Sequence, residues 1–299
     1  MKRLAALALA AGVIACASPA AAQAATTPYA KREDVQAFIR QMVEQHAFIE
    51  RELSFLFARA RREPAILAAI APPKTAPMRS WQTYRSRFVT EARIAEGVEF
   101  WRRNAAALER AAQVHGVPPE IIVAIIGIET VYGRQTGSWR VIDALSTLAF
   151  DFPPRAEFFR GELEQYLLMA REQNLDVFSV RGSYAGAIGI PQFMPGSYRR
   201  YAVDFDGDGA ADLRASESDA IGSVANFLAK HGWRRGERVS LPARVSGDSF
   251  RALIELESPG APTEYRLGLR NFYVLTRYNR SALYASVAQD LAQEIKARR

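Results

Sequence analysis

Gly127-Ile128-Glu129-Thr130-Val131-Tyr132-Gly133 sets one carboxylate inside an almost wholly apolar segment. Pro118-Pro119-Glu120 opens that segment, and Ile121, Ile122, Val123, Ile125, Ile126 and Ile128 fill it. A helix apolar on every face is a buried helix, so the stretch predicts an α protein packed around it. An ionised carboxylate there loses its hydration, which favours the neutral acid. A carboxyl group kept neutral near pH 7 is suited to protonating a leaving-group oxygen. The same burial is also met by a structural Glu paired with an Arg. The stretch alone leaves both readings open.

Outward from this helix, the chain reads as mainly helical. Between Ala30 and Arg61, Val35, Phe38, Ile39, Met42, Ile49, Leu53 and Leu56 recur at helical spacing and predict an amphipathic helix. A loop with Pro72, Pro73 and Pro77 follows. A second helical stretch then carries Ile94, Val98, Trp101, Ala105 and Leu108 on one side and stops at His115-Gly116. Further helices are expected from about Arg155 to Gln173, from near Ala220 to Lys230, and from Ser281 to Lys296. After Gly232 the texture turns strand-like around Val239, Ala243, Ala252–Leu256 and Glu264–Leu267. The expected organisation is a helical region over 30–115, a catalytic core over 116–235, a small β region over 236–270 and a closing segment over 271–299.

Composition narrows the function classes. The 299 residues are 49% hydrophobic, enough for one large or two modest cores. Lys2-Arg3, an Ala/Leu-rich run and the small residues around Ala20-Ala21-Ala22 describe an export leader over 1–22. Val13-Ile14-Ala15-Cys16 also fits a lipoprotein cleavage box, with a leader over 1–15 and Cys16 as a lipid-bearing first residue in the outer membrane. Either way the chain is expected outside the cytoplasm, in a periplasm, and as a monomer. Cys16 is the only cysteine, which excludes an internal disulfide, a Cys-based zinc site and a catalytic thiol in the mature fold. His46, His115 and His231 show no metal-ligand spacing. The net charge of +7 is dispersed, suiting an anionic polymer but not a nucleic acid, for which a basic stripe with interleaved aromatics is missing.

Asp204-Phe205-Asp206-Gly207-Asp208-Gly209 places three carboxylates at alternate positions, with glycine where an EF-hand loop turns sharply. The Ala210 carbonyl falls at the seventh position. Ala215 stands at the twelfth, where a bidentate Glu belongs, so Asp219 or Glu217 is left to supply the last ligand. This pattern predicts a structural Ca²⁺ of modest affinity.

Five motifs in order carry a family resemblance: the Pro118–Gly133 stretch, Gly182-Ser183-Tyr184-Ala185-Gly186-Ala187-Ile188-Gly189-Ile190-Pro191-Gln192-Phe193-Met194-Pro195, the Asp204 loop, Ala220–Asn226, and Asn271–Asn279. Together they cover roughly residues 30–299, and the chain resembles the lytic murein transglycosylase B family, family 103 of the glycoside hydrolases. The resemblance implies a lysozyme-like core, Glu129 as lone catalytic acid and base, calcium at the Asp204 loop, no catalytic cofactor, and the peptidoglycan glycan strand as substrate. It further implies that Ser183 and Gln192 orient the sugar beside Glu129, that Tyr278, Asn279, Tyr284 and Tyr84 line the saccharide groove, and that Arg155 meets the acidic peptide stem. Pro154 stands where relatives often have a second Arg, and Phe227 where they often have Tyr. Most glycosidases use two carboxylates, and no motif supplies a second acid beside Glu129. The expected reaction is therefore substrate-assisted and ends in a 1,6-anhydro product. A water-admitting muramidase and a non-catalytic wall-binding protein are the rival readings.

Overall fold

The computed structural model describes residues 27–71, 80–243 and 253–299. The leader with Cys16, the loop prolines Pro72, Pro73 and Pro77, and the strand-like residues from 244 to 252 lie outside the described residues. Two compact units are present, one ending at Arg61 and one spanning Arg62–Arg299.

The first unit carries a short 3-10 turn, Tyr29–Lys31, and two helices, Glu33–His46 and Glu50–Arg59, where the periodicity predicts one. The break falls at Ala47, whose backbone enters the left-handed region (φ 53°). There the amides of Ala47 and Phe48 close back onto Val43 and Met42, satisfying carbonyls at the helix end. Glu44, Gln45 and His46 offer no apolar side chain to carry the stripe across this point. Ile49, counted in that stripe, is 56% exposed as a result.

In the second unit the predicted helix up to His115 is also divided, into Glu91–Arg103 and Ala105–His115. Asn104 makes the break. Its side-chain amide donates to the Phe100 carbonyl (3.0 Å) and to Glu217 Oε2 (2.6 Å), drawing the chain out of line. Helix Val141–Asp151 carries no readable period, because Val141 through Phe150 are all buried. The four predicted strand-like segments yield three strands, the first two meeting in Ser240–Ala243, in an antiparallel sheet with Glu264–Gly268 between Ser240–Ala243 and Leu253–Leu256. A two-residue ladder, Trp139–Arg140 with Arg181–Gly182, joins the loop before Val141 to the glycine-rich motif.

Helix Pro119–Thr130 is the hub of this unit. It packs against helices Ala282–Arg298, Glu91–Arg103, Ala105–His115 and Glu217–Lys230. Ile122, Val123, Ile125 and Ile126 are fully buried, and each such side chain contributes about 1.5–3 kcal/mol of burial free energy. Among the described residues no single helix is long and apolar enough to cross a membrane.

Candidate active site

Glu129 sits one residue before the end of its helix, and the local sequence explains why the helix stops there. Val131 and Tyr132 both take left-handed φ (51° and 58°), a costly conformation for a β-branched and a bulky residue. Surrounding contacts hold them in it. The Tyr132 hydroxyl donates to the Arg93 carbonyl (2.8 Å), and its ring lies so close to Gly127 that a Cβ there would meet the phenol oxygen at 2.5 Å. Glycine at 127 is thus a condition for the abrupt turn. Thr130 then fastens the helix end to the glycine-rich loop: its hydroxyl donates to the Ile190 carbonyl (2.8 Å) and accepts from the Gly133 amide (3.0 Å). The sequence marks neither Thr130 nor Pro191 as a site residue. Thr130's place beside Glu129 in the motif was the one available signal.

The Glu129 carboxyl is pushed up from 4.5 to about 7, first by burial, with the Tyr284 hydroxyl pulling in the opposite direction. Tyr284 donates to Glu129 Oε1 at 2.7 Å. Burial and, after it, the charge of Glu129 raise the phenols of Tyr284, Tyr278 and Tyr84. Among the described residues, no carboxylate is one of the groups that perturb Glu129. Tyr278 and Tyr284 lie nearly parallel (7°, centroids 6.4 Å apart), and the Tyr278 hydroxyl is anchored on the Pro191 carbonyl at 2.7 Å. Tyr84 packs with Ile128 and Leu283 around Trp81 and Val287.

The structure therefore brings Tyr84, Tyr278 and Tyr284 together around Glu129. Asn279 follows as an exposed cap residue of helix Arg270–Tyr278. Ser183 and Gln192 sit on the loop tied to Thr130 through Ile190. Ser183 Oγ accepts from the Ala187 amide (3.0 Å), which leaves its proton for another acceptor. Gln192, in a left-handed turn (φ 51°), commits its amide nitrogen to the Thr136 and Gly189 carbonyls (3.0 and 2.9 Å). Its oxygen is thereby oriented for a donor. Arg155 shares no contact with these groups; it is exposed and stacks over Phe158 and Phe159 at 4.3 and 5.1 Å. Phe227 fills an aromatic cluster with Phe193, Tyr278 and His231. We expect Tyr284→Phe, which removes the hydroxyl that donates to Glu129, to shift the alkaline limb of any Glu129-dependent activity to higher pH. A pH–rate profile of the two proteins checks this.

The Asp204 loop is a second built feature. Carboxylate oxygens of Asp204, Asp206 and Asp219 converge within 4.8 Å of one another. Asp219, at the start of helix Glu217–Lys230, is fully buried; it accepts from the amides of Phe205 (2.7 Å) and Asp212 (2.8 Å). Glu217, the other option for the last ligand, is engaged by Arg103 and Asn104 instead. Asp208 accepts from the Ala210 amide at 2.9 Å. Gly207 and Gly209 supply the positive φ of the turn, and their amides hold the Asp204 carboxyl below its ordinary range, Gly209 most strongly. Three converging hard oxygen donors, one of them buried, fit a divalent cation such as Ca²⁺. The loop reaches the Glu129 helix through Ile190: the Leu213 carbonyl accepts from the Ile190 amide (2.8 Å), and the Ile190 carbonyl accepts from the Thr130 hydroxyl.

Comparison with known proteins bears on the family and the fold. The family model described as "Transglycosylase SLT domain" matches residues 30–265. The chain is 40% identical to membrane-bound lytic murein transglycosylase B of Escherichia coli (strain K12), over 89% of this chain and 84% of that one. It superposes on the crystal structure of soluble lytic transglycosylase SltB1 from Pseudomonas aeruginosa with a TM-score of 0.84 at 45% identity, covering 89% of this chain and 99% of that one. It also matches the Escherichia coli lytic transglycosylase Slt35 in complex with calcium, with a TM-score of 0.80 at 40% identity, covering 92% and 94% of the two chains. The mainly α, lysozyme-like fold is that of these relatives.

Proposed function

From the premise that the chain belongs to the SLT-domain family of peptidoglycan lytic transglycosylases, we propose that Glu129 alone serves as acid and then base in cutting the β-1,4 bond between N-acetylmuramic acid and N-acetylglucosamine. The observation that carries this reading is a carboxyl raised to about 7 by burial, with no carboxylate among the described residues that perturb it. Near neutrality such a group is available both as donor and, once ionised, as acceptor.

Glu129 gives its proton to the glycosidic oxygen, and the N-acetylglucosamine side departs as an alcohol. The 2-acetamido oxygen of the muramyl sugar attacks C1 and spreads the developing positive charge into an oxazolinium ring, the substrate-assisted route. Ionised Glu129 then takes the proton of the C6 hydroxyl of that sugar. The C6 oxygen closes on C1 and releases the acetamido group. The products are a 1,6-anhydromuramyl end and a free N-acetylglucosamine end, with no water consumed and Glu129 protonated again.

Ser183, with its proton free, is suited to hold the acetamido oxygen, and Gln192 to receive a sugar hydroxyl. Tyr84, Tyr278, Asn279 and Tyr284 border the muramyl unit, and Tyr284 steadies the ionised intermediate of Glu129. Arg155 is assigned to the peptide stem on the strength of the family resemblance alone. Mass spectrometry of digested sacculi tests the reaction: the fragments are expected one water lighter than a muramidase would give. Hydrated ends would overturn the proposal in favour of hydrolysis, and no fragments at all would favour a wall-binding protein.

A Ca²⁺ bound by Asp204, Asp206, Asp208, the Ala210 carbonyl and Asp219 is assigned a structural role, supported by the calcium complex of the relative Slt35. The double substitution Asp204→Ala/Asp208→Ala is expected to lower Tm in Ca²⁺ by roughly 5 °C. Chelation should do the same to the unmodified chain. Equal melting points with and without chelator would remove the metal from the account. The site of action is the periplasm, reached through the leader over residues 1–22 or, with acylated Cys16, 1–15.

A further inference from the structure

Helix Arg270–Tyr278 carries Tyr278 toward Pro191 on one side and an unusual surface on another. Arg270, Tyr273 and Arg277 follow at i, i+3 and i+7, which places them on one helix face. Tyr273 is 51% exposed, and both guanidinium groups approach its ring, at 5.6 and 5.8 Å from the centroid. Arg234 adjoins this face through Glu237, which also meets the Arg270 amide, whereas the guanidinium of Arg235 donates to the Gln113 carbonyl (2.7 Å). Asn271 receives the Arg234 amide (2.8 Å) and returns a bond to the Arg234 carbonyl (2.8 Å), so the turn is fixed against the start of the helix. All four arginines are exposed.

The counter-charge here is small. Glu237 accepts from the Arg270 amide (3.0 Å) and stands 3.5 Å from Arg234. Arg277 has no acidic partner within ion-pair distance among the described residues. Guanidinium groups stacked on a ring keep their N–H edges outward, the geometry that takes carboxylates in a fork.

We propose that this face is a second wall-binding surface, which takes the carboxylate-bearing peptide stems of the polymer outside the Glu129 site. The inference rests on the reading of peptidoglycan as substrate. Continuity with the active site favours a wall polymer over other polyanions. Arg277 is the chain neighbour of Tyr278. The aromatic cluster that backs Tyr278 runs through Phe227 to His231 (5.0 and 4.1 Å), next to Gly232, whose carbonyl accepts from Arg270 at 3.4 Å. The arginine face is thus carried by the same helix that places Tyr278 at the Glu129 site. A bilayer would be served by apolar side chains, whereas the Tyr273 ring is flanked by charge on both sides.

The test is co-sedimentation with insoluble sacculi, carried out in Glu129→Gln protein so that the polymer stays intact. Tyr273→Ala/Arg277→Ala is expected to bind stem-bearing sacculi about tenfold more weakly, and to lose part of the salt dependence. Removing the stems with an amidase should weaken the parent protein at least as much, and on stem-free glycan the double variant and its parent should bind alike. Arg277→Glu alone, at an exposed position, should reproduce the loss, with melting curves confirming that both variants fold. Affinity unchanged within about twofold, or an equal loss on stem-free glycan, would overturn the proposal. So would unaltered wall binding with lost sedimentation on anionic phospholipid vesicles, which would assign the face to a membrane. Cleavage of a short soluble glycan by protein with Glu129 intact is measured in parallel. Its failure would count against the Glu129 chemistry and not against this surface.

Discussion

Glu129→Gln is expected to reduce lysis of a peptidoglycan suspension by roughly 10³-fold, within the range a positioned general acid supplies. Gln keeps the size of the side chain and can still accept from Tyr284, but it holds no proton to give. The same substitution should leave the fold intact and, in alkaline solution, strengthen it. The Glu129 carboxyl titrates near 4.5 in the unfolded chain and at about 7 in the folded one. Between those values the folded state binds more protons, so stability falls as pH rises, by up to about 3 kcal/mol once pH passes 7. Gln carries no such penalty. Melting curves should therefore coincide for the two proteins near pH 4 and separate by pH 8, with Glu129→Gln the higher. Retained lysis would remove Glu129 from the chemistry. A separation absent at pH 8 would mean that burial does not raise this carboxyl.

Asp219→Ala is expected to be the most destabilising single substitution in the metal loop, by roughly 3–5 kcal/mol in denaturant titrations. Asp219 is fully buried and organises the loop from its side chain. One oxygen accepts from Phe205 and, more weakly, Asp206, and the other from Asp212. Alanine would leave these amides without their acceptor, and would also remove the one buried oxygen donor from the cation site. Two effects should separate experimentally. Part of the loss persists in chelator and belongs to the amides. The remainder appears only in Ca²⁺, and the variant's Tm should no longer respond to the ion. A loss below about 1 kcal/mol would show that the loop holds its shape without Asp219. Because hydrogen bonds from the Ile190 amide to Leu213 and from the Thr130 hydroxyl to Ile190 link this loop to the Glu129 helix, the damage should also reach catalysis through position and not through chemistry.

What could be read in the sequence was whatever a local pattern encodes. The Glu129 helix was legible because a run apolar on all sides has no place but the interior, and the Asp204 turn because carboxylate spacing and glycine placement are local. Interruptions were harder. Ala47 and Asn104 break helices whose apolar periodicity is continuous on paper, and the break at Asn104 is tied to Glu217, 113 residues away. That contact also decides between Glu217 and Asp219 as a converging oxygen, a choice the spacing left open. Helix Val141–Asp151 escaped notice because complete burial erases periodicity. The tyrosines were placed near Glu129 by family resemblance. The Tyr284 hydroxyl on Glu129 joins residues 155 apart, and no window of sequence contains it. Arg155 remains assigned by resemblance, and its stacking on Phe158 and Phe159 had no local signal beyond proximity in the chain.

The account turns on a proton held at residue 129 under neutral conditions, and that proton can be observed without substrate. Difference infrared spectroscopy between the unmodified chain and Glu129→Gln isolates the carboxyl band of this one residue across a pH series. A protonated band that gives way to carboxylate with a midpoint near 7 is the predicted result. A midpoint at 4.5 or below would contradict it, because the group would then be fully ionised in the range where it must act as an acid.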